Sequence, residues 1–279
     1  MIEIGKYNTL DILKNTPIGL YLGDGSEEVL LPKRYVPEKI KIGDQLEVFV
    51  YLDNENRPVA TRLKPFATVD EFAFLTVKEI NEHGAFFDWG IDKDVFAPYS
   101  EQTEELQTGK SYIVFIYTDE RSGRIAASLK WNQFVDDNTN DLVTGTEVQL
   151  LIAQQTTLGY KAIINNQYEG LLYQNEIFEP LNIGDIKRGF IKQVREDGKI
   201  DLSLQQQGYG HIEDLKQLLL LELKNHKGVL PLGDKSSPEE IYQQLKISKK
   251  AFKKTIGGLF KEKLITLSDF KIELSENCE

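Results

Sequence analysis

The sequence predicts a mainly β protein in which three five-stranded barrels in tandem precede a smaller domain of helices and a short sheet. Three observations indicate this: a spacing of glycines that recurs three times, short runs of alternating apolar and polar residues, and a change to helical periodicity near residue 207. The chain of 279 residues exceeds one domain of about 100–200 residues, which agrees with several compact units.

Two glycines and a leucine mark each repeat. The first glycine is Gly19, Gly84 or Gly159, and a second follows 24 or 25 residues later. A leucine lies 20 residues after each second glycine. Spacing this regular over three units predicts three copies of one structure. The predicted domains are 1–66, 67–130 and 145–206, with a linker at 131–144 and a different domain at 207–279.

Each repeat has the pattern of five short strands. In the third repeat they cover about 147–153, 160–165, 168–172, 186–194 and 200–204. Asn165-Asn166 and Asp197-Gly198 lie between runs, where hairpin turns need residues that tolerate positive φ. An irregular stretch follows the third strand. Five strands in about 65 residues with this layout predict an OB-type barrel.

The C-terminal segment has the order helix, strand, helix, helix, strand, strand. A helix is predicted over 214–225 and a short strand over 229–232. Ser237-Pro238-Glu239-Glu240 has the features of a helix start, and Ser248 caps a third helix. A hairpin follows at 265–267 and 270–274. This order predicts a winged helix, a variant of helix-turn-helix.

Two further expectations concern the third helix. Its predicted apolar stripe consists of Phe252, Ile256, Leu259, Phe260 and Leu264. Gly257 and Gly258 are costly inside a helix and therefore suggest the close approach of another backbone, either by packing or by a nucleic acid.

The repeats resemble the S1 domain of ribosomal and RNA-processing proteins. The resemblance lies in the order of the glycines, the Gly-Asp-x-apolar strand start and the segment Glu196-Asp197-Gly198-Lys199-Ile200-Asp201-Leu202-Ser203-Leu204, and it is strongest over 145–205. Three S1-like units before a winged helix resemble the conserved virulence factor B family over nearly the whole chain. The most specific stretches are 48–53, 86–90, 158–166, 195–204 and 230–265. The resemblance implies single-stranded RNA binding and regulation of gene expression, including virulence factors, after transcription.

The charge distribution limits where such contacts can lie. The net charge of −11 argues against a nucleic-acid binder if it is taken as an average. The acidity is concentrated, however: residues 67–134 hold 12 acidic and six basic residues, whereas 248–264 hold six lysines and one glutamate. Contact with RNA is therefore predicted at locally basic places, and the second repeat is the least favourable.

OB barrels bind oligonucleotides on the face of strands 2 and 3, where aromatic rings stack on bases and basic groups follow the phosphates. The position two residues after each first glycine should face outward there. In S1 domains one position of the third strand is often His. Here that position is Leu31 or Pro32 in the first repeat, Pro98 in the second and Tyr173 in the third. The predicted RNA-binding residues are Tyr21, Phe86, Lys161, Tyr173, Lys192, Arg195 and Lys199 in the barrels and Lys249, Lys250, Lys253, Lys254 and Lys261 on the third helix.

The second repeat offers His83 and Arg124 beside Phe86. It also carries Asp88, Asp92 and Asp94, which are expected to repel phosphate. Trp89 is expected to pack between units rather than to stack on a base.

The chain shows no catalytic motif, phosphate-binding glycine loop or metal-ligand cluster, so we expect no enzyme activity, cofactor or metal. The single cysteine, Cys278, and the absence of a long apolar run predict a soluble, cytoplasmic protein, which we expect to be a monomer. Two alternatives to an RNA-binding regulator remain. One is a DNA-binding transcriptional regulator that uses the winged helix. The other is a scaffold whose acidic second repeat docks a basic partner, such as a ribosome-associated protein.

Overall fold

A computed structural model describes residues 1–177, 179–205, 209–245 and 247–275. The boundary predicted at residues 206 and 207 and the cysteine at position 278 lie outside these ranges. The chain divides into two compact units, residues 1–135 and 136–279. The first holds two barrels, and the second holds a third barrel and the C-terminal domain.

The three predicted barrels are present, and each is a closed sheet of five strands. Around each barrel the strands follow the order first, second, third, fifth, fourth, and the third and fifth run parallel. This topology confirms the predicted OB-type architecture.

The strands of barrel 1 are β1 (Lys6–Thr16), β2 (Gly19–Gly23), β3 (Glu28–Pro32), β4 (Gln45–Leu52) and β5 (Pro58–Thr61). Those of barrel 2 are β6 (Glu71–Asn81), β7 (Gly84–Phe87), β8 (Val95–Pro98), β9 (Ser111–Thr118) and β10 (Ile125–Ser128). Those of barrel 3 are β11 (Glu147–Thr156), β12 (Gly159–Ile164), β13 (Tyr168–Tyr173), β14 (Ile186–Val194) and β15 (Ile200–Ser203).

The first strand of every barrel contains a register shift at the equivalent place, between Ile12 and Lys14, Val77 and Glu79, or Ile152 and Gln154. A bulge bends a strand and increases its twist, so one long strand can pair with both the second and the fourth strand. β11 continues to Thr156, beyond the end predicted at 153, because it resumes pairing with β12 after the bulge.

The first glycine of each repeat lies where two strands come close together. Gly19, Gly84 and Gly159 have φ of +151°, +156° and +147°. A Cβ atom there would lie 2.0, 2.3 or 1.9 Å from a carbonyl oxygen of the neighbouring strand. No larger side chain fits without moving that strand, which explains why glycine recurs at this position.

Barrels 1 and 2 share part of their apolar packing. Phe49 and Tyr51 of β4 belong to the same buried cluster as the core of barrel 2. Trp89, 2% exposed, packs edge-on against Phe49, and its indole N–H donates to the Ala67 carbonyl oxygen at 2.7 Å. The expectation that Trp89 packs between units is confirmed.

The C-terminal domain has the predicted order of elements. They are α1 (Tyr209–Asn225), β16 (Val229–Leu230), α2 (Pro238–Leu245), α3 (Lys249–Lys261), β17 (Ile265–Leu267) and β18 (Ile272–Leu274), with the sheet order β16-β18-β17. α1 begins at Tyr209 rather than at 214. Both predicted caps are present: the Ser248 hydroxyl accepts from the Ala251 N–H at 3.2 Å, and the Ser237 hydroxyl accepts from the Glu240 N–H at 3.1 Å.

One expectation for α3 is wrong, and of the two expected causes for the glycine pair one is not found. Phe260 is 53% exposed, because about 100° of rotation per residue puts it roughly 90° from the centre of the buried stripe. Thr255 is buried in that stripe instead and donates to the Ala251 carbonyl. Within the described ranges no other backbone packs against the glycine pair: a Cβ at Gly257 would meet open space, and the near neighbour of Gly258 is the side chain of Lys216 in α1.

No helix in the described ranges has both the length and the apolar character needed to cross a membrane.

Candidate nucleic-acid interface

The outer face of β12 and β13 in barrel 3 brings two predicted residues onto one surface. In the antiparallel register Gly159 lies opposite Tyr173, and Lys161 lies opposite Leu171. Since side chains alternate between the two faces of a strand, Lys161 and Tyr173 lie on the same, outward face. Both are half-buried. The Lys161 ammonium pairs with Glu169 at 2.7 Å, which ties the two strands together.

Tyr173 is surrounded by two of the predicted cations. The Arg195 guanidinium donates to the Tyr173 hydroxyl, and its central carbon lies 5.8 Å from the ring centroid. The Lys192 ammonium lies 6.0 Å from the same centroid. These distances are at the limit of a cation–π contact, and they place an aromatic ring beside two positive charges. An aromatic ring beside two cations suits a nucleobase with its phosphates.

Each predicted cation of barrel 3 also has an acidic neighbour. Arg195 pairs with Asp201 at 2.8 Å, and this hydrogen bond raises the pKa of the guanidinium further above its ordinary value. Lys192 pairs with Glu176, and Lys199 pairs with Asp197 at 3.0 Å. The face is therefore close to charge balance. The Lys199–Asp197 pair is exposed, and pairs of this kind contribute about 0–1 kcal/mol, so a phosphate can displace that carboxylate at little cost. Asp201 is buried, so its pair with Arg195 is costly to break.

The lysines of α3 form a second basic surface. They lie on the side opposite the buried residues, within an arc of about 140° at 100° per residue. Lys253 pairs with Asp234 at 3.0 Å, whereas Lys249, Lys250 and Lys261 have no acidic partner in the described part of the chain. Lys254 is exposed on the same face. We call these five residues the lysine face of α3.

The equivalent positions of barrels 1 and 2 differ from barrel 3. Gly19 pairs with Pro32, so the third-strand position of barrel 1, which the sequence left open, is Pro32. Gly84 pairs with Pro98 in barrel 2. Of the three barrels only the third has an aromatic residue, Tyr173, at this position. Tyr21 lies on the outer face of β2 with the Lys14 ammonium 4.6 Å from its ring centroid. Phe86 lies on the outer face of β7 against Phe96, with ring centroids 4.9 Å apart.

The acidic residues of barrel 2 are engaged by neighbouring groups. Asp92 accepts hydrogen bonds from Arg34 and Tyr35 of barrel 1. Lys78 lies 2.8 Å from Asp94 and 3.9 Å from Asp88. Arg34 balances the charge of Asp92, whereas Asp88 and Asp94 share the single cation of Lys78, so the repulsion of phosphate by these acids stays a prediction.

Sequence reasoning missed three residues that line a cleft on barrel 2: Lys93, Phe96 and Tyr117. Phe96 had a detectable signal, because it alternates with Val95 and Ala97, which are buried. No sequence signal marks Lys93, because the part of barrel 1 that it contacts is distant in sequence. In the described ranges no three His, Cys, Asp or Glu side chains converge as metal ligands would.

Comparison with known proteins supports the assignment of the domains. The S1 domain model matches residues 4–63 and 71–130, and the model of the CvfB-like winged helix domain matches residues 217–274. The S1 matches lie in barrels 1 and 2, whereas we expected the strongest resemblance in barrel 3, which has the same topology.

The similar proteins match the chain over most of its length. Uncharacterized protein YitL of Bacillus subtilis is 28% identical over 92% of this chain and 89% of its own. Conserved virulence factor B of Staphylococcus haemolyticus is 26% identical over 92% of this chain and 89% of its own. A multidomain protein with nucleic acid binding domains from Streptococcus pneumoniae TIGR4 aligns with a TM-score of 0.43 at 23% identity, over 97% of this chain and 98% of its own. The chain therefore carries S1 domains followed by a CvfB-like winged helix domain, and it is similar along most of its length to proteins named Conserved virulence factor B.

Proposed function

We propose that the protein binds single-stranded RNA through barrel 3 and the lysine face of α3, and that it regulates gene expression after transcription in the bacterial cytoplasm. The observation that carries the proposal is the arrangement around Tyr173, a half-buried aromatic ring with Lys192 and Arg195 about 6 Å from its centroid. Stacking on such a ring requires an unpaired base, which favours single strands over duplexes.

Two contacts support a continuous surface from barrel 3 to the winged helix. The N–H of Ser248, the cap of α3, donates to the Gln205 side chain just after β15 at 3.2 Å. The Tyr242 hydroxyl of α2 donates to Glu179 of barrel 3 at 3.4 Å. The first turn of α3, with Lys249 and Lys250, therefore begins beside the last strand of the barrel. One strand of RNA can then contact both basic surfaces.

The domain families support a binding protein rather than an enzyme. OB-type barrels bind oligonucleotides, and helix-turn-helix variants bind nucleic acid through a helix. The conserved virulence factor B relatives carry a name that connects them with virulence. A role for this chain in virulence-factor expression belongs to the same proposal.

The test is a titration of a labelled oligouridine with the full-length protein. Tyr173→Ala should bind about five- to 150-fold more weakly, because stacking contributes about 1–3 kcal/mol per base. Lys250→Glu/Lys254→Glu should also bind more weakly, because the charge reversals repel phosphates. Lys224→Glu, an exposed charge reversal on α1, is the matched control. Wild-type affinity in both test variants would rule out the composite surface.

A second candidate function is duplex DNA binding by the winged helix. It is favoured by the three lysines of α3 that have no acidic partner in the described ranges, because a basic helix can also enter a DNA groove. The same titration with duplex DNA at equal salt decides between the two. Tighter binding of the duplex than of oligouridine would favour this candidate.

A further inference from the structure

A groove of about 750 Å³ lies between barrel 3 and α2, within the second compact unit. Its volume falls in the range of about 300–1,000 Å³ that is typical of ligand sites. One wall consists of Tyr160 in β12 and the segment that follows β13, and the other wall consists of α2. The Tyr242 hydroxyl of α2 donates to Glu179 of the first wall at 3.4 Å and so joins the two walls.

The lining offers aromatic and apolar surface to a ligand. Tyr160 and Tyr242 contribute one ring from each wall, and both residues are half-buried. Pro180 is exposed in the first wall, and Pro238 is the first residue of α2. Segments in the polyproline II conformation dock in grooves lined by aromatic side chains, because their preformed shape loses little entropy on binding. The apolar lining therefore favours an extended chain that contains proline.

Three side-chain amides can bind the backbone of such a chain. Gln174 and Asn175 lie directly after β13, and Gln243 lies on α2. All three residues are exposed, and none of their side chains is hydrogen-bonded to another described residue. Each amide can both donate and accept hydrogen bonds. A polyproline II chain has no internal hydrogen bonds, so its carbonyl groups remain available to these amides.

The charge of the lining favours a basic ligand. Glu179 and Glu239 line the groove, and no lysine, arginine or histidine does so in the part of the chain that the structure describes. Lys187 lies 3.4 Å from Glu179, whereas Glu239 is exposed and has no cationic partner among the described residues. Such a lining repels phosphate and attracts a lysine or arginine side chain.

We propose that this groove binds an extended, proline-containing basic segment of a protein partner, with proline rings against Tyr160 and Tyr242 and an arginine or lysine at Glu239. The proposal does not rest on RNA binding. The cations around Tyr173 and the lysine face of α3 attract phosphates, whereas the groove has the opposite charge. The protein would then bind RNA and a protein partner at different surfaces.

The test is a fluorescence anisotropy titration of a labelled peptide, three repeats of Pro-Pro-Arg, with the full-length protein. The wild type should bind the peptide saturably. Glu239→Lys and Tyr242→Ala should each weaken binding by about fivefold or more, the usual effect of removing an anchoring contact. Glu239→Lys replaces an exposed side chain, so it tests the groove even if Tyr242→Ala disturbs the fold.

Two controls address the net charge of the protein and the loss of an aromatic ring. Glu196→Lys reverses an exposed charge of barrel 3 outside the groove, and Tyr99→Ala removes an exposed ring of barrel 2. Both should bind the peptide as the wild type does. Equal weakening by Glu196→Lys and Glu239→Lys would overturn the proposal, because the peptide would then respond only to net charge.

Further outcomes separate this proposal from the proposed function. A peptide with glutamate in place of each arginine should bind far more weakly, and equal binding of the two peptides would overturn the proposal, as would a wild type that binds neither. Glu239→Lys should not weaken oligouridine binding, and a loss there would indicate that the groove takes RNA instead. A wild type that binds the basic peptide but no oligouridine would refute the proposed function and leave the groove proposal standing.

Discussion

The indole ring of Trp89 in barrel 2 packs edge-on against the ring of Phe49 in barrel 1, with ring centroids 5.3 Å apart and an angle of 86° between the planes. This contact lies inside a buried cluster that contains residues from both barrels. The first two barrels therefore form one packed unit, and the cleft on barrel 2 depends on that packing because a turn of barrel 1 closes it.

Trp89→Ala should lower the free energy of unfolding of the first unit by about 3–5 kcal/mol, the usual cost of deleting a large buried aromatic side chain. Denaturant unfolding can be followed by the fluorescence of Trp131, the other tryptophan, which is buried in the same unit. Phe270→Ala, at an exposed residue of the winged helix, should leave this transition unchanged. An unchanged midpoint for Trp89→Ala would show that the barrels do not stabilise each other here.

Gly159→Ala should destabilise barrel 3 strongly, because the added Cβ would lie 1.9 Å from the Leu172 carbonyl oxygen. Gly145→Ala is the control for backbone conformation alone. Gly145 has φ of +89° and no atom within 4 Å of the added Cβ, so its replacement should cost only about 1–2 kcal/mol. Chemical denaturation of both variants measures the difference. Equal losses would mean that the neighbouring strand moves aside easily.

Glu169→Gln should tighten oligouridine binding about two- to threefold. It removes a carboxylate from the predicted RNA face and releases Lys161 from its pair at 2.7 Å. Glu28→Gln is the matched control, since Glu28 occupies the equivalent position of barrel 1 and pairs with Lys14 at 2.6 Å. Fluorescence anisotropy gives both affinities. Weaker binding by Glu169→Gln would indicate that the pair positions Lys161 rather than competing with RNA.

Lys250→Ala should reduce the salt dependence of RNA binding. Each phosphate contact with a single strand contributes about 0.7 to the slope of log K against log salt concentration, so loss of one contact should lower the slope by that amount. Lys224→Ala, an exposed lysine on α1, should leave the slope unchanged. Titrations at several salt concentrations provide the measurement. An unaltered slope for Lys250→Ala would place that lysine away from the RNA.

The repeats and their topology could be predicted because they depend on local patterns. Alternation defines strands, and a glycine recurs wherever a Cβ would strike a neighbouring carbonyl oxygen. The helix caps at Ser237 and Ser248 could also be predicted from the sequence, because capping involves residues three apart. The outward positions of Tyr21, Phe86 and Lys161 followed from their distance to that glycine.

The ion pairs and the cleft could not be predicted, because they join residues that are distant in sequence. Asp92 forms an ion pair with Arg34, and the Lys93 ammonium donates to the carbonyl oxygen of Asp53, 40 residues earlier in the chain. Sequence by itself determined the number of barrels, the winged helix and the concentration of positive charge on α3. Only the tertiary structure decided which charges are already balanced and where aromatic surface remains open. The physical reason is that side-chain pairing depends on the distances that barrel closure and packing impose.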